Sequence, residues 1–453
     1  MAARWSLAPI LSRDDGVDVS TEQAAGHLKE YRRPPPMKGV RAGAIVLAGV
    51  ATLNVGNYLF HVIAARHLGP ARYGDLATLI TIASLISLPL AGVQVWVARN
   101  IARFVQAGDL VAAHWFSRRV AVYLVAVGTG STLLLLLLTW TIQSALGIAS
   151  PAAVAITALT ALPAIVSPVT WGVSQGLERF SLVSLVYAAG PVARIAFTLI
   201  AFAIGLQVGG AMLATLASML VALGLPLFVL RDWFRPAPQV GRRIDRRAAF
   251  LSLLPVMIGL LAITALTSDD VVVAKAALSE HEAGIYGSAS LIGRVILYLP
   301  AAVITVLLPR VAARTADRRE SLDLLAKSLG VTAAFSVVAT AIYTLAASPI
   351  IRVAFGAKYA DASPLLWRFA VAMSGYALLN VLLVYHLGRD NARMAWALAV
   401  GAVAQLLALI AFHRTATQLV EVDMVFAALL IVSHEALHRG LATRAALRLI
   451  RPG

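Results

Sequence analysis

The sequence contains no cysteine and few charged residues, and both absences narrow the classes of protein that it can encode. Without cysteine, disulfides, thiolate metal sites and cysteine nucleophiles are excluded. Charged residues are only 13% of the 453 residues and hydrophobic residues are 60%, whereas a soluble domain averages about 25% charged and roughly 45–50% apolar residues. An ordinary soluble enzyme is therefore excluded. The mean hydropathy of +0.82 indicates a protein that crosses a membrane many times.

Twelve stretches of the chain are apolar over the length of about 20 residues that a membrane-spanning helix needs. They are residues 42–65, 75–98, 120–146, 152–175, 181–206, 208–230, 249–274, 284–309, 328–351, 365–387, 392–412 and 418–437. The predicted fold class is an all-α polytopic membrane protein with about 12 transmembrane helices in two six-helix bundles. The predicted domains are a disordered cytoplasmic tail over 1–40, an N-terminal bundle over 41–230, a basic linker over 231–247, a C-terminal bundle over 248–438 and a basic cytoplasmic tail over 439–453.

Arginine and lysine are divided unequally between the two sides of the predicted bilayer. If the spans alternate in direction, 29 of the 38 basic side chains lie on the side that holds both termini, and 7 lie on the opposite side. Because cytoplasmic loops carry an excess of Lys and Arg, both termini are predicted to lie in the cytoplasm, and the protein in the inner (cytoplasmic) membrane. The basic side chains that produce the net charge of +16 are therefore expected to edge the cytoplasmic loops, where anionic lipid attracts them. No nucleic-acid partner is expected.

The two halves of the sequence share a pattern. Tyr73-Gly74 precedes Pro89, and Tyr286-Gly287 precedes Pro300. Each proline is followed by arginines ten and fourteen residues later. Six spans per half give both halves the same orientation, which predicts a parallel repeat with a substrate path between the halves.

Five short motifs occur in order within residues 42–440. They are Ala65-Arg66-His67-Leu68-Gly69-Pro70-Ala71-Arg72-Tyr73-Gly74, Gln175-Gly176-Leu177-Glu178-Arg179-Phe180, Ala283-Gly284-Ile285-Tyr286, Leu308-Pro309-Arg310 and Phe355-Gly356-Ala357-Lys358-Tyr359-Ala360-Asp361-Ala362. In order and spacing they resemble the polysaccharide (oligosaccharide) flippases of the multidrug/oligosaccharidyl-lipid/polysaccharide exporter superfamily. The resemblance implies two six-helix bundles around a central cavity that opens alternately to each side, and glycans linked to a polyprenyl diphosphate as substrates.

The resemblance therefore implies a flippase, not an enzyme, that moves a polyprenyl-diphosphate-linked oligosaccharide from the cytoplasmic to the outer leaflet for surface polysaccharide assembly. Its expected partners are the lipid-linked glycan, the bilayer and a glycan polymerase or synthesis complex. A lipid II flippase and a cation-coupled multidrug antiporter of the same fold stay open as alternatives. Lipid II flippases carry an Arg-Asp pair where this chain has Phe60 and His61, which weakens that alternative.

Polar residues inside the spans are the candidate site residues. A central arginine costs about 2.5–3.5 kcal/mol on insertion scales, so Arg194 and Arg294 are each expected to face a cavity or a partner. Under the resemblance, their planar guanidinium groups would bind the diphosphate, while structural ion pairing is the alternative role. Asn54, Asn57 and His61 share one helical face, where they could bind sugar hydroxyls or join neighbouring helices.

Asp269 and Asp270 are adjacent carboxylates in the seventh span. Their mutual repulsion favours a bound proton or sodium ion, so they are the predicted ion-coupling residues. Solvation at the outer interface is the alternative. No catalytic residue, resident metal or cofactor is expected beyond this coupling ion, Na⁺ or H⁺.

One motif suggests an enzyme instead. His434-Glu435-x-x-His438 is an H-E-x-x-H pattern, which in metalloproteases binds zinc and activates a water molecule. No acid or histidine follows it to complete the ligand set, and Glu421 or Asp423 would lie about three turns away. A membrane metalloprotease is therefore a weak alternative. A glycosyltransferase is weak for a different reason, because the predicted outer loops are too short to form a catalytic domain. A scaffold in a glycan-synthesis complex stays open.

Overall fold

The computed structural model describes residues 11–13, 39–87, 90–234, 242–244, 246–297, 318–389, 391–438 and 440–450. Two short strands occur, β1 Leu11–Arg13 and β2 Arg242–Ile244. The α-helices, numbered in chain order, are α1 Gly39–Ser87, α2 Ala91–Gln106, α3 Leu110–Leu137, α4 Thr139–Leu146, α5 Pro151–Leu159, α6 Ala161–Gly176, α7 Phe180–Ala203, α8 Val208–Val229, α9 Arg246–Leu266, α10 Asp269–Ala277, α11 Glu280–Gly293, α12 Arg318–Leu345, α13 Ala347–Phe355, α14 Ser363–Gly388, α15 Arg393–Ala411, α16 Ala416–Leu437 and α17 Leu441–Ile450. Short 3-10 helices form at Arg231–Phe234, Arg294–Leu297 and Ala357–Ala362.

The predicted spans correspond to helices. Nine helical stretches of the described residues are long and apolar enough to cross a membrane, and α9 with α10 forms a tenth, bent by 41°. One of the nine, Ala48–Gln106, covers the second predicted span and the first from residue 48 onward. The eighth predicted span, 284–309, is described only as far as Leu297. The prediction of an all-helical polytopic membrane fold is confirmed, with the two short strands as a minor addition.

Helix α1 is two helices joined at a break. Gly69 has φ 74° and ψ 171°, a backbone conformation open to glycine because it has no Cβ. The following Pro70 has no backbone N–H. Proline is accepted in the first turn of a helix, where an N–H would have no partner within the helix, so the second helix can begin here. The break therefore turns the chain between the first two predicted spans. Pro89, Pro300 and the arginines that follow Pro300 in the predicted repeat lie outside the described residues.

Side-chain caps explain where several helices begin. Asp109 accepts a hydrogen bond from the backbone N–H of Ala112 at the start of α3, and Ser150 caps α5 in the same way. Ser279 and Glu282 form a reciprocal capping box at the start of α11. These side chains satisfy N–H groups that have no partner within a helix.

The chain divides into two compact units. The N-terminal unit comprises residues 1–64, 86–144 and 148–257, and the C-terminal unit comprises residues 65–85, 145–147 and 258–453. The division differs from the predicted bundles at 41–230 and 248–438, because the 65–85 segment belongs to the C-terminal unit. In the N-terminal unit, α2, α3 and α6 enclose an apolar core in which Phe116 packs between Trp96 and Phe104.

Buried polar contacts hold the 65–85 segment in the C-terminal unit. Lys275 and Asp75 form an ion pair of 2.6 Å, with side chains only 3% and 5% exposed. The Tyr359 hydroxyl donates to the carbonyl of Ala65 at 2.8 Å. Arg66 Nε donates to the carbonyl of Ala354 at 2.9 Å. The segment is thus fixed at several points along its length.

Part of the predicted disordered tail is ordered. Leu11–Arg13 pairs antiparallel with Arg242–Ile244, which belongs to the predicted basic linker. The backbone groups of these three residues gain partners in a two-stranded ladder, whereas the sequence predicted a tail without structure. The other residues predicted as tail up to residue 38 lie outside the described residues.

Candidate functional site

An acid cluster, formed by Asp269, Asp270 and Asp423, lies inside the C-terminal unit. Asp269 and Asp270 begin α10, directly after the bend that separates it from α9. The N-terminus of a helix favours negative charge, since its first N–H groups are unpaired and the helix dipole is positive there. Asp423 comes from α16, and all three side chains are buried. The predicted pair is thus joined by a third carboxylate.

Asp270 is held by a tyrosine and an arginine from the next helical segment. The Tyr286 hydroxyl donates to Asp270 Oδ2 at 2.7 Å. Arg294 Nη2 donates to Asp270 Oδ1 at 3.3 Å and forms an ion pair with it. The Arg294 side chain is 21% exposed, whereas that of Asp270 is 1% exposed. The cation is therefore the more accessible member of this pair.

Gln405 connects the other two carboxylates. Its Nε2 lies 3.2 Å from Asp269 Oδ1, 3.0 Å from Asp423 Oδ1 and 3.0 Å from the carbonyl of Leu266. The Tyr376 hydroxyl donates to Gln405 Oε1 at 2.5 Å, which orients the amide. An amide nitrogen has only two hydrogens for these three acceptors. Gln405 therefore joins α9, α10 and α16 without satisfying every carboxylate oxygen.

The cluster has more carboxylates than basic side chains. Among the described residues, its three buried aspartates have one ion-pair partner, Arg294, which pairs with Asp270. Asp269 Oδ2 and Asp423 Oδ2 are buried and have no hydrogen-bond partner among the described residues. An unpaired carboxylate is costly away from water, so such a group binds a proton or a cation. The arrangement is chemically suited to binding H⁺ or a small cation such as Na⁺.

Arg194 forms a separate polar cluster within the N-terminal unit. It is buried on α7, and its Nε donates to Thr215 Oγ1 at 3.1 Å. Nη1 donates to Asn57 Oδ1 at 3.5 Å, and the guanidinium lies 3.6 Å from the centre of the Phe60 ring. A cation over an aromatic face is stabilised by about 2 kcal/mol or more once it is desolvated. These contacts lock Arg194 against α1 and α8.

The structure brings together only part of the predicted polar face on α1. Asn57 reaches Arg194, as described above. Asn54 is half-buried on the same helix, and His61 packs edge-on against its neighbour Phe60. The structure thus places Asn57 of this predicted face beside Arg194.

Sequence reasoning did not assign four residues to this site. They are Asp423, which belongs to the acid cluster, Gln405 and Tyr286, which bond its carboxylates, and Tyr376, which bonds Gln405. A signal existed for two of them, because Gln405 and Asp423 are polar residues within the predicted spans 392–412 and 418–437. Tyr286 and Tyr376 had no such signal, because their roles depend on contacts between different helices.

The metalloprotease alternative loses support from the position of its glutamate. Glu435 Oε1 accepts a hydrogen bond from the backbone N–H of Ala442, and Oε2 accepts from the N–H and hydroxyl of Thr443. Both oxygens are thereby used to cap α17. Glu435 is not free to activate water, as a zinc protease requires.

A multi-span helical fold with buried charged clusters in both units defines a membrane transporter. Residues 40–315 match the model of the polysaccharide biosynthesis protein family, and the chain belongs to this family. No curated protein is a significant match to the sequence.

Solved structures share the fold at low sequence identity. An inward-facing multidrug resistance MATE family transporter of the MOP superfamily has a TM-score of 0.68 and 17% identity, covering 88% of this chain and 99% of its own. The lipid II flippase MurJ in an inward closed conformation has a TM-score of 0.68 and 13% identity, covering 89% and 90%. A MOP superfamily transporter from Pyrococcus furiosus has a TM-score of 0.64 and 17% identity, covering 89% and 95%. The chain therefore shares the fold of these solved structures over nearly nine-tenths of its length.

Proposed function

We propose that this transporter flips a polyprenyl-diphosphate-linked oligosaccharide from the cytoplasmic to the outer leaflet of the inner membrane. Membership of the polysaccharide biosynthesis protein family is the observation that carries the proposal. The fold shared with a protein described as a lipid II flippase supports a lipid-linked substrate. A glycan polymerase or synthesis complex would then receive the product.

Arg294 is the residue best suited to contact the diphosphate. It is partly exposed, and its one described ion-pair partner is Asp270 at 3.3 Å. Hydrogen bonds to charged groups contribute about 1.5–3 kcal/mol, and Arg forms them bidentately with phosphate. A diphosphate would therefore compete with Asp270 for the guanidinium. Arg194, whose contacts described above are with neutral groups, is the second candidate, in the N-terminal unit.

The acid cluster is proposed to couple transport to a cation, either Na⁺ or H⁺. Asp269 Oδ2 and Asp423 Oδ2 supply oxygens without a hydrogen-bond partner among the described residues. A cation bound between them would reduce the excess negative charge. If Arg294 leaves Asp270 to bind the diphosphate, the cluster loses the positive charge beside Asp270, and cation binding becomes more favourable.

Topology in the membrane is proposed with both termini in the cytoplasm, because of the distribution of Lys and Arg. The pairing of Leu11–Arg13 with Arg242–Ile244 supports it, since strands that pair lie on the same side of a bilayer.

Arg294→Ala tests substrate binding. It should weaken binding of a polyprenyl-diphosphate glycan about 10- to 100-fold in proteoliposomes. This is the change in affinity that corresponds to the loss of one charge-assisted contact. Arg368→Ala is the matched control, because Arg368 is also partly exposed, at 23%, and also forms an ion pair, with Glu421 at 3.4 Å. Equal binding by Arg294→Ala and Arg368→Ala would remove Arg294 from the binding site.

Asp423→Asn and Asp269→Asn test ion coupling. Each replaces a carboxylate by a neutral side chain of the same shape, so flipping should lose its dependence on a Na⁺ or H⁺ gradient. Glu421→Gln is the control, because it lies on the same helix as Asp423 but is 51% exposed. A gradient response that survives in both aspartate variants would contradict the assignment.

Depletion of the protein in its host tests the cargo directly. Lipid-linked glycans would be quantified by mass spectrometry, and their sidedness by surface labelling. Accumulation of intact lipid-linked glycan on the cytoplasmic side, with loss of a surface polymer, would support flipping and identify the glycan. Unchanged lipid-linked glycan, together with increased drug sensitivity, would instead favour a multidrug antiporter, and accumulated peptidoglycan precursor would favour a lipid II flippase.

A further inference from the structure

Three histidines meet at one end of the C-terminal unit, outside the acid cluster. His386 is in the last turn of α14, His434 is in the last turn of α16, and His438 follows α16 directly. One potential ligand nitrogen from each lies within 4.8 Å of the other two. His386 Nε2 and His434 Nε2 are 3.0 Å apart. The H-E-x-x-H motif therefore has a third histidine close to it, which sequence reasoning did not find because that histidine precedes the motif by 48 residues.

The second ring nitrogen of each histidine has a neighbour that can fix the orientation of the ring. His434 Nδ1 lies 3.2 Å from Glu435 Oε1, and His438 Nδ1 lies 3.2 Å from the carbonyl of His434. His386 Nδ1 lies 3.2 Å from Asn391 Nδ2. Histidines that bind metals are oriented in this way, with Nδ1 contacting a carboxylate, a carbonyl or another polar group. Nε2 is left as the nitrogen that can bind a metal in each ring.

The hydrogen atoms on these rings can be assigned from their neighbours. Contacts with a carboxylate and a carbonyl place hydrogen on Nδ1 of His434 and His438, so their Nε2 atoms carry lone pairs. Asn391 Nδ2 donates to His386 Nδ1, so His386 Nε2–H donates to His434. If a metal ion binds His386 Nε2, the ring hydrogen must lie on Nδ1 instead. A rotation of the Asn391 amide would then place its oxygen where it can accept a hydrogen bond from His386 Nδ1–H.

We propose that His386, His434 and His438 bind a divalent transition metal ion, with Zn²⁺ as the favoured occupant. Neutral imidazole suits Zn²⁺, and three histidines with a water molecule in the fourth position form a recognised tetrahedral set. Zn–N distances of about 2.0–2.1 Å place ligand nitrogens about 3.3 Å apart, so the site closes on the ion by small movements of the rings. His386 and His434 are buried and His438 is half-buried, which gives the ion a path from water.

The proposed metal has a structural role. It joins the end of α14 to the end of α16, two long helices of the C-terminal unit. Glu435 extends the connection, because its carboxylate contacts His434 and also caps α17. Glu435 is thus a positioning residue for the ligand His434 and does not contact the metal. Binding should hold the three helices together and raise the thermal stability of the protein.

Metal binding can be measured on the full-length protein purified through an affinity tag that contains no histidine. After removal of metal with EDTA, Zn²⁺ would be titrated in competition with a chromophoric chelator. One Zn²⁺ per chain should bind, with an increase of several degrees in the midpoint of thermal unfolding. His386→Ala should weaken binding at least 100-fold, and Glu435→Gln about 10- to 100-fold, as for other groups that orient a metal ligand. His413→Ala is the matched control, because His413 is exposed and outside the cluster.

Two results would overturn the proposal. One is the absence of stoichiometric Zn²⁺ binding to the wild-type protein, and the other is an equal effect of His386→Ala and His413→Ala. Co²⁺ loading of the wild-type protein provides a measurement that does not depend on any variant. Visible absorption bands of tetrahedral Co²⁺, with X-ray absorption showing three nitrogen neighbours, would support the site. An octahedral Co²⁺ spectrum would contradict it.

Discussion

The buried ion pair between Lys275 and Asp75 should make the C-terminal unit sensitive to the loss of either partner. Its charged atoms are 2.6 Å apart, and both side chains are at most 5% exposed. At an effective dielectric constant of about 20, their attraction is about 6 kcal/mol, most of which offsets the loss of hydration. Removing one partner leaves the other charge buried without this ion pair and costs about 3–5 kcal/mol. Lys275→Gln should therefore be strongly destabilising.

The expected change is large enough for a simple thermal assay. For a unit of about 200 residues, 1 kcal/mol corresponds to about 2–4 °C in the unfolding midpoint, so Lys275→Gln should lower it by about 6–20 °C. The midpoint would be followed by intrinsic fluorescence in one detergent at fixed protein concentration. Lys358→Gln is the control, because Lys358 is exposed in the same unit and should change the midpoint little.

A double variant distinguishes charge from packing. Asp75→Asn combined with Lys275→Gln leaves no unpaired charge, so it should recover much of the stability that Lys275→Gln loses. The reasoning is refuted if Lys275→Gln behaves like Lys358→Gln. It is refuted equally if the double variant loses the sum of the two single effects, since independent sites add.

Two further variants test how the 65–85 segment packs. Gly284→Ala would place a Cβ in steric clash with the carbonyl oxygen of Pro70, so the protein should lose its monodisperse peak in size-exclusion chromatography. Gly224→Ala, with nothing within 4 Å of the added Cβ, should not. Tyr359→Phe removes the 2.8 Å hydrogen bond to the carbonyl of Ala65 and should cost about 1 kcal/mol, and an unchanged midpoint in the same fluorescence assay would contradict that contribution.

The membrane spans were predictable because hydrocarbon imposes a simple requirement on a helix. About 20 apolar residues are needed whatever the helix packs against, and this signal is local in sequence. The connection between the first two spans was less predictable. The residues between the predicted spans 42–65 and 75–98 suggest a loop from hydropathy alone. In the structure the chain is helical on both sides of Gly69, and the second helix begins directly after that single residue. Hydropathy cannot distinguish a loop from a break of one residue.

The composition of the acid cluster was only partly predictable. Asp269 and Asp270 were identified because adjacent charges in an apolar segment are rare. Asp423 and Gln405 were not, because their significance depends on contacts across 136 and 18 residues of sequence. A polar residue inside a span can face lipid, a neighbouring helix or a binding site. The hydropathy of the span is the same in each case, so it does not show which one the residue faces. Only the packing of α10, α15 and α16 decides between them.

The proposed coupling has a thermodynamic consequence that follows from the pairing of Arg294 with Asp270. If a diphosphate takes Arg294 from Asp270, the acid cluster becomes more negative and binds a cation more tightly. By linkage, the cation must then increase the affinity for the diphosphate by the same factor. Cation and lipid-linked substrate would therefore occupy the transporter together. This coupling requires Asp270 and Arg294 to contact each other in the substrate-free protein, as they do in the structure.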